Sequence, residues 1–197
     1  MKAHLLIDYA FNKANCRNII AALLVIFSCS SIDAATIESA QSGDWMLTST
    51  WVGGVLPGAA DDVVINTGHT VTLSANRPCK AMTIETSATL TLSGLLTNSG
   101  PVINQGTLTL SGHLNNYGSF LNQGTVDWTG IFGGIGSVTN DGILNVNHGR
   151  TDSDITNNAN KTINWNGGWL DYYAGGQTLT NFGTLNISDN ASACQMA

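Results

Sequence analysis

Four ionisable side chains alternate along one segment of the sequence, in the order His148-x-Arg150-x-Asp152-x-Asp154. Alternate residues of an extended strand point the same way, so the pattern predicts that all four side chains share one side. Two carboxylates beside a cation could cleave an acidic polysaccharide by general acid–base or calcium-assisted chemistry. The favoured alternative is a solvated loop, because charged residues ordinarily face water and the segment lacks the glycine and glutamate of a calcium loop.

A cluster of aromatic residues is the second candidate site. Trp165, Trp169, Tyr172 and Tyr173 lie close to Asp171 in the sequence, and exposed aromatic rings can stack on sugar rings. One hypothesis is therefore a glycan-binding platform. The favoured alternative is that Trp165, Trp169 and Tyr173 fill the interior, because they occupy positions of one parity.

Threonine pairs form a third pattern at intervals of 18 residues. The residues of these pairs are Thr89, Thr91, Thr107, Thr109 and Thr125, with Asp127 in the last position. Flat rows of threonine can order water, as they do in ice-binding proteins, so ice binding is a remote alternative function. The β-propensity and the solubility of threonine explain such a surface equally well.

Composition and motifs disfavour other classes of function. Charged residues are 10% of the 197-residue chain, the net charge is −6 and the seven basic residues are scattered, so no nucleic-acid partner is expected. The sequence contains no phosphate-binding loop, dinucleotide fingerprint, Ser-His-Asp order or C-x-x-C motif. We expect no cofactor and no metal, and favour a protein that is not an enzyme. Cys79 and Cys194 are expected to be unpaired.

The elements that would position these residues follow from a six-residue repeat. Glycine occurs at every sixth position from 94 to 142, and a large apolar residue lies two positions after each glycine. These apolar residues are Leu96, Val102, Leu108, Leu114, Phe120, Val126, Phe132, Val138 and Leu144. Strict periodicity of this kind indicates a repeat architecture.

A second, longer period of 18 residues groups the six-residue units in threes. The position four after each glycine reads Asn98, Asn104, Leu110, then Asn116, Asn122, Trp128, then Gly134, Asn140, Val146. This predicts a three-sided coil of about 18 residues, in which even-numbered positions face the interior. Glycine would fit the tight corners, and inward asparagine would bond the corner backbone and its own copy one coil away.

The repeat is interrupted after Val146, where charged residues take the inward parity. Apolar residues then occupy odd-numbered positions, which predicts an odd-numbered insertion or deletion near residues 147–160. Residues 181–187 resemble residues 140–146 at a separation of 41 instead of 36. We expect most of the extra residues in a bulge or loop at 167–176.

The N-terminal residues are typical of an export signal. Basic residues precede an apolar run at 19–27, and small residues follow as far as Ala34. The run is too short to span a bilayer, so residues 1–34 are interpreted as a signal peptide. The expected location is secreted or at the cell surface, with no membrane span after signal removal. Lipidation at Cys29 is the alternative.

The segment between the signal and the repeat has a different pattern. It predicts a turn at Pro57-Gly58 and strands at 62–66 and 69–74. Trp45 and Trp51 are candidate plugs for the open end of the solenoid, which would otherwise expose its core and an unpaired strand edge.

This segment resembles the eight-glycine domain found in fibrocystin and in cell-surface hyaluronan-degrading proteins. The matching residues are Thr50-Trp51, Gly54-Val55, Pro57, Asp62-Val63-Val64-Ile65, Gly68, Val71 and Leu73. In secreted proteins of gliding, polysaccharide-using bacteria a similar segment continues into Asn-x-Gly-Thr-Leu coils, such as Asn104-Gln105-Gly106-Thr107-Leu108 here. The resemblance implies an extracellular, right-handed β-helix, often tied to adhesion or glycans, and supplies no catalytic residues.

These patterns predict an all-β, single-stranded β-solenoid with three sides and an N-terminal cap. Its predicted parts are the cap with the first coils at 35–86, regular coils at 87–147, irregular coils at 148–188 and a tail at 189–197. The expected function is an exported, non-enzymatic surface, adhesion or structural module, whose partners would be extracellular glycans or other surface proteins. The alternative is an extracellular protein that binds or degrades polysaccharide.

Overall fold

The computed structural model describes residues 34–134, 136–172 and 176–195, without the side chains of residues 171–172 and 192–195. This part of the chain forms 23 short strands, which assemble into three sheets. From the third strand onward each strand pairs with the strand three places further along the chain, and the pairing within the sheets is parallel. The fold is the three-sided β-solenoid that the repeat predicted.

The three sheets are called faces 1, 2 and 3, and each coil contributes one strand to each face in turn. Face 1 contains β1 (Thr36–Glu38), β3 (Asp62–Ile65), β6 (Ala81–Ile84), β9 (Val102–Asn104), β12 (Phe120–Asn122), β15 (Val138–Asn140), β18 (Ile155–Asn157) and β21 (Leu179–Asn181). Face 2 contains β2 (Gly43–Asp44), β4 (Thr70–Leu73), β7 (Thr89–Leu92), β10 (Thr107–Leu110), β13 (Thr125–Trp128), β16 (Ile143–Val146), β19 (Thr162–Trp165) and β22 (Thr184–Ile187). Face 3 contains β5 (Asn76–Cys79), β8 (Leu95–Asn98), β11 (His113–Asn116), β14 (Ile131–Gly133), β17 (Gly149–Thr151), β20 (Gly168–Tyr172) and β23 (Ala191–Gln195).

Side chains of successive coils lie over one another in columns. On face 2 Leu108 pairs with Val126 and Val126 pairs with Leu144, and all three side chains are buried. Face 1 stacks Phe120 on Val138 in the same way. Because parallel pairing in this register keeps equivalent positions side by side, the apolar residues form one continuous core. Full burial of such a side chain stabilises the fold by about 1.5–3 kcal/mol.

Inward asparagines form a hydrogen-bonded ladder inside face 1. Nδ2 of Asn104 donates to Oδ1 of Asn122 at 2.8 Å, Asn122 donates to Asn140 at 2.7 Å, and Asn140 donates to Asn157 at 2.7 Å. Asn122 Nδ2 also donates to the backbone oxygen of Ile143 at 2.9 Å. A buried amide without partners would cost about 1–3 kcal/mol, so stacking is what makes these polar residues tolerable in the core. The predicted asparagine stacking is confirmed.

The repeated glycines lie at corners where one coil rests on the backbone of the coil before it. A Cβ added at Gly106 would lie 2.2 Å from the carbonyl oxygen of Ala88, and one at Gly124 would lie 2.0 Å from that of Gly106. None of the nine glycines of the six-residue repeat has a positive φ. Close approach of the backbone, and not an unusual conformation, therefore excludes a side chain at these corners.

The interior changes to odd-numbered positions after Val146, as predicted. Val138 pairs with Ile155 and Leu144 pairs with Ile163, so the coil length changes from 18 residues to odd numbers. When a coil has an odd number of residues, the inward positions change from even to odd sequence numbers. The apolar residues stay inside because they too occur at odd-numbered positions after Val146.

The later coils are longer, and the strands continue almost to the end of the chain. Ile155 pairs with Leu179, and Ile163 pairs with Leu185. The predicted tail at 189–197 is wrong for residues 191–195, which form β23 and pair with β20. The backbone of β20 offers unpaired donors and acceptors at its edge, and β23 satisfies them.

Trp45 and Trp51 close the N-terminal end of the core, as predicted. Both are buried, and their rings meet edge to face with centroids 4.8 Å apart. Trp51 Nε1 donates to the carbonyl oxygen of Trp45 at 2.7 Å. Two short 3₁₀ turns, Thr48–Thr50 and Val52–Gly54, carry this cap.

Candidate functional site

The charged residues predicted to share one side are divided between two faces. His148 directly precedes strand β17 of face 3, and Arg150 lies in that strand. Asp154 lies beyond the next corner and directly precedes β18 of face 1. Oδ1 of Asp154 accepts hydrogen bonds from the backbone N–H of Thr178 at 2.7 Å and from its hydroxyl at 3.0 Å. The four side chains do point outward, since Gly149, Thr151 and Ser153 between them are buried, as the alternation predicted. They do not share one face, because the chain turns a corner between Arg150 and Asp154.

The carboxylates also lack the surroundings of a metal centre. Asp152 lies in the corner, and its Oδ1 is buried with no hydrogen-bond partner among the described residues. Within the part of the chain that the structure describes, no three His, Cys, Asp or Glu residues come close enough to hold a metal ion. Asp154 is hydrogen-bonded to the following coil and Oδ1 of Asp152 is buried, so these two residues do not form a pair of free carboxylates.

The aromatic candidates are also separated. Trp165 is 7% exposed and belongs to the core, whereas Trp169 is 55% exposed, so the expectation that Trp169 fills the interior is wrong. Gly167 and Gly168 have positive φ and turn the chain so that Leu170 faces inward instead.

Two of the remaining aromatic-cluster residues lie at the edge of what the structure describes. Asp171 and Tyr172 belong to β20 by their backbone, but their side chains lie outside the described set. Tyr173 lies outside the described residues altogether. The cluster as a glycan platform therefore stays a prediction, with Trp169 as its described, exposed member.

Trp169 lies beside a residue of the charged segment that sequence reasoning had treated separately. Its ring centroid is 6.2 Å from that of His148, at an interplanar angle of 53°. The backbone N–H of Trp169 points to Nδ1 of His148 at 3.5 Å. Both side chains are exposed, so an imidazole and an indole together form one small outward surface.

A shallow groove of about 750 Å³ runs along the corner between faces 2 and 3, and we call it the corner groove. It extends over five coils and ends at His148 and Arg150. One wall is a column of exposed hydroxyl residues, namely Ser74, Ser93, Ser111 and Thr129. The other wall is the outward column of face 3, which contains Asn76, Leu95, His113, Ile131 and Arg150.

Sequence reasoning missed this groove, although the sequence contains a signal for it. Within the regular repeat, Ser or Thr directly precedes glycine at this corner in every coil, at Ser93-Gly94, Ser111-Gly112 and Thr129-Gly130. The other two corners do not repeat a hydroxyl residue before glycine: one carries Ser99 and then Tyr117, and the other carries Gln105 and Gln123. A search for the 18-residue period in this position would have predicted a hydroxyl column at one corner.

The threonine rows on face 2 extend further than the sequence pattern indicated. The outer column runs in register through Thr70, Thr89, Thr107, Thr125, Ile143, Thr162 and Thr184. The neighbouring column changes to amides, because Asn145 donates to Asp127 at 2.8 Å and Asn164 donates to Asn145 at 2.9 Å. These amides bond one another, so only the first half of face 2 presents paired threonines. Ice binding remains an untested alternative.

Cys79 is a free, buried thiol. Its Sγ donates to Oδ1 of Asn98 at 3.2 Å, and it occupies the asparagine position of face 3. Burial, and after it the negative charge of Asp62, raises the pKa of this thiol to about 12. A thiol with so high a pKa is a poor nucleophile and a poor metal ligand, so its role is packing.

The chain matches no family model, no curated protein and no solved structure. None of its described residues forms a helix that is both long and apolar enough to cross a membrane.

Proposed function

We propose that this chain is an exported, non-enzymatic solenoid module that serves outside the cell as a structural or adhesive element. The observation that carries the proposal is the continuous stack of apolar columns and asparagine ladders, which commits the inward side chains to one core. Each coil is hydrogen-bonded to the next along three faces, which makes a stiff body with a large outward surface.

The arrangement of the ionisable residues supports a non-enzymatic role. General acid–base cleavage needs two carboxyl groups facing one bond, at separations that fit a sugar ring and a water molecule. Here Asp154 accepts two hydrogen bonds from Thr178, and Oδ1 of Asp152 is buried. Incubation of the chain with acidic polysaccharides should release no new reducing or unsaturated ends. Turnover that disappears in both Asp152→Asn and Asp154→Asn would contradict the proposal.

Export is tested with the full chain carrying a C-terminal epitope tag in a bacterial host. We expect the unaltered chain outside the cytoplasm, accessible to added protease in cells whose outer layer has been opened. The double variant L23R/L24R interrupts the apolar run and should stay inside. Cys29→Ser is the matched control, since it leaves the run apolar and removes the lipidation alternative. An unaltered chain retained in the cytoplasm would overturn the exported role.

A second candidate function is the binding of extracellular glycans, which the corner groove and the His148–Trp169 pair favour. Exposed aromatic and hydroxyl groups bind sugars through their C–H faces and hydroxyl edges. A glycan array probed with the full chain tests it, with Trp169→Ala and Asp152→Ala as variants. We expect Trp169→Ala to weaken a positive signal more than Asp152→Ala. An array without any signal would reject glycan binding and leave the structural or adhesive role as the remaining proposal.

A further inference from the structure

We propose that the corner groove binds a linear polysaccharide lying parallel to the solenoid axis, with about one sugar unit for each coil. This inference deepens the second candidate function and rests on it, because it names the ligand class and its orientation. Neighbouring strands are about 4.8 Å apart, so groups on equivalent positions recur along the groove at that spacing. One sugar ring adds a similar length to an extended glycan chain.

The hydroxyl wall presents a row of hydrogen-bond acceptors. The hydroxyl of Ser111 donates to the carbonyl oxygen of Leu92 at 3.4 Å, and that of Thr129 donates to the carbonyl oxygen of Leu110 at 3.3 Å. At these two residues the hydroxyl hydrogen is directed to the backbone, so the oxygen lone pairs are left for the groove. Such a row fits the hydroxyl edge of a sugar chain, which supplies one donor after another.

The opposite wall suits the less polar face of the same chain. Leu95, His113 and Ile131 follow one another in register, each about half-buried. Aliphatic and imidazole groups contact the C–H face of a pyranose ring, as binding sites for sugars generally combine apolar and polar walls. At the far end His148 and its neighbour Trp169 continue this surface with two rings.

Charge further narrows the ligand. The ionisable groups among the described lining residues are His113, His148 and Arg150, and none of the lining residues is acidic. A polycationic glycan would therefore find no carboxylate in the lining to pair with, whereas neutral and acidic chains do not need one.

An extended peptide fits the groove less well than a glycan. Peptides that add to β-structure use unpaired backbone groups at a sheet edge. In the groove these groups are already paired: Gly112 N–H donates to Leu92 at 2.9 Å, and the carbonyls of Gly94 and Gly112 accept from the following coil at 2.8 and 2.9 Å. A ligand must therefore be held by side chains and hydroxyl groups.

Titration calorimetry of the full chain with oligosaccharides of two to eight sugars tests the inference. Galacturonate, glucose and glucosamine oligomers serve as acidic, neutral and cationic probes. We expect the affinity for acidic or neutral oligomers to rise with length and to level off near about five sugars, the number of coils along the groove. Glucosamine oligomers should bind at least about tenfold more weakly than the acidic or neutral oligomers.

The matched variants remove polar groups from different corners. S93A/S111A/T129V removes three of the four hydroxyls of the groove and should weaken binding about tenfold or more, since each lost hydrogen bond lowers the affinity severalfold. Q105A/Q123A alters another corner and should leave binding unchanged. Equal melting temperatures would show that all variants are folded.

The outcomes separate the inference from the function on which it rests. Glycan binding without length dependence, or unaffected by S93A/S111A/T129V, would overturn the axial groove and leave glycan binding standing. An absence of binding to every probe and on the array would overturn both. Tight binding of an extended peptide that competes with the glycan would overturn the assignment of the ligand class.

Discussion

At the residue scale each buried side chain is stabilised by its own copy in the neighbouring coil. Asn122 accepts from Asn104 and donates to Asn140, so a single amide is part of two interactions between three coils. Hydrogen bonds in such a row polarise one another, and an interruption costs more than one bond. The effect of a substitution therefore depends on its place along the column.

Asn122→Ala should lower the free energy of unfolding by about 2–4 kcal/mol, because it removes one buried hydrogen bond from the amide on each side and leaves a cavity in the core. Urea unfolding followed by tryptophan fluorescence measures this. Asn181→Ala is the matched control at the exposed end of the same ladder and should cost less than about 1 kcal/mol. Equal losses in the two variants would contradict the cooperative ladder.

Cys79 gives the fold a dependence on alkaline pH. Its pKa is raised to about 12, above that of an unfolded thiol, so folding favours the neutral form. This contribution is complete below about pH 9 and is lost as pH rises towards 12, because the unfolded chain ionises first. Urea unfolding between pH 8 and about 11 should show a steeper decline for the parent chain than for Cys79→Ala. Parallel declines would show that the thiol does not contribute.

At the scale of the element the corner decides how closely coils stack. The strands are only three to five residues long over most of the solenoid, and glycine corners let consecutive backbones approach one another. A side chain at a corner would separate two coils at one edge while the strands on both sides hold them together. Strain of this kind cannot relax locally, since the next coil repeats the contact.

Gly124→Ala should destabilise the fold by about 2–3 kcal/mol, because its Cβ would meet the backbone oxygen of Gly106 at 2.0 Å. Gly58→Ala provides the control, since the nearest atom to its Cβ is a carboxylate oxygen of Asp61 at 3.4 Å. This control should change stability by no more than about 0.5 kcal/mol. Thermal unfolding of both variants checks the difference, and a tolerated Gly124→Ala would remove close approach as the reason for the repeat.

At the scale of the whole molecule the stacking of coils creates an end that must be covered. Trp45 and Trp51 belong to the same apolar cluster as the columns below them. Without them the first coil would expose its apolar interior to water.

Trp51→Ala should cost about 3–5 kcal/mol and promote end-to-end association through the uncovered first coil. Light scattering after gel filtration and chemical unfolding measure the two effects. Trp169→Ala removes a ring of the same type from the outer surface, where the side chain is 55% exposed, and should do neither. A monomeric Trp51→Ala variant of unchanged stability would show that the cap is dispensable.

The sequence by itself determined the coil, the core columns, the asparagine ladders, the tight corners and the cap. Each of these depends on contacts between a residue and its equivalent one coil away, and parallel stacking converts a fixed sequence interval into such a contact. The change of inward positions from even to odd numbers after Val146 could be predicted for the same reason, because the apolar residues change to odd-numbered positions in the sequence.

The tertiary structure alone decided which outward residues share a surface. The angle of a corner depends on local backbone conformation, as at Gly167 and Gly168, and the alternation of residue types does not encode it. For that reason the structure separates Asp154 from His148 and turns Trp169 outward beside that imidazole. The corner groove likewise exists only because hydroxyl residues 18 or 19 positions apart are brought side by side at one edge.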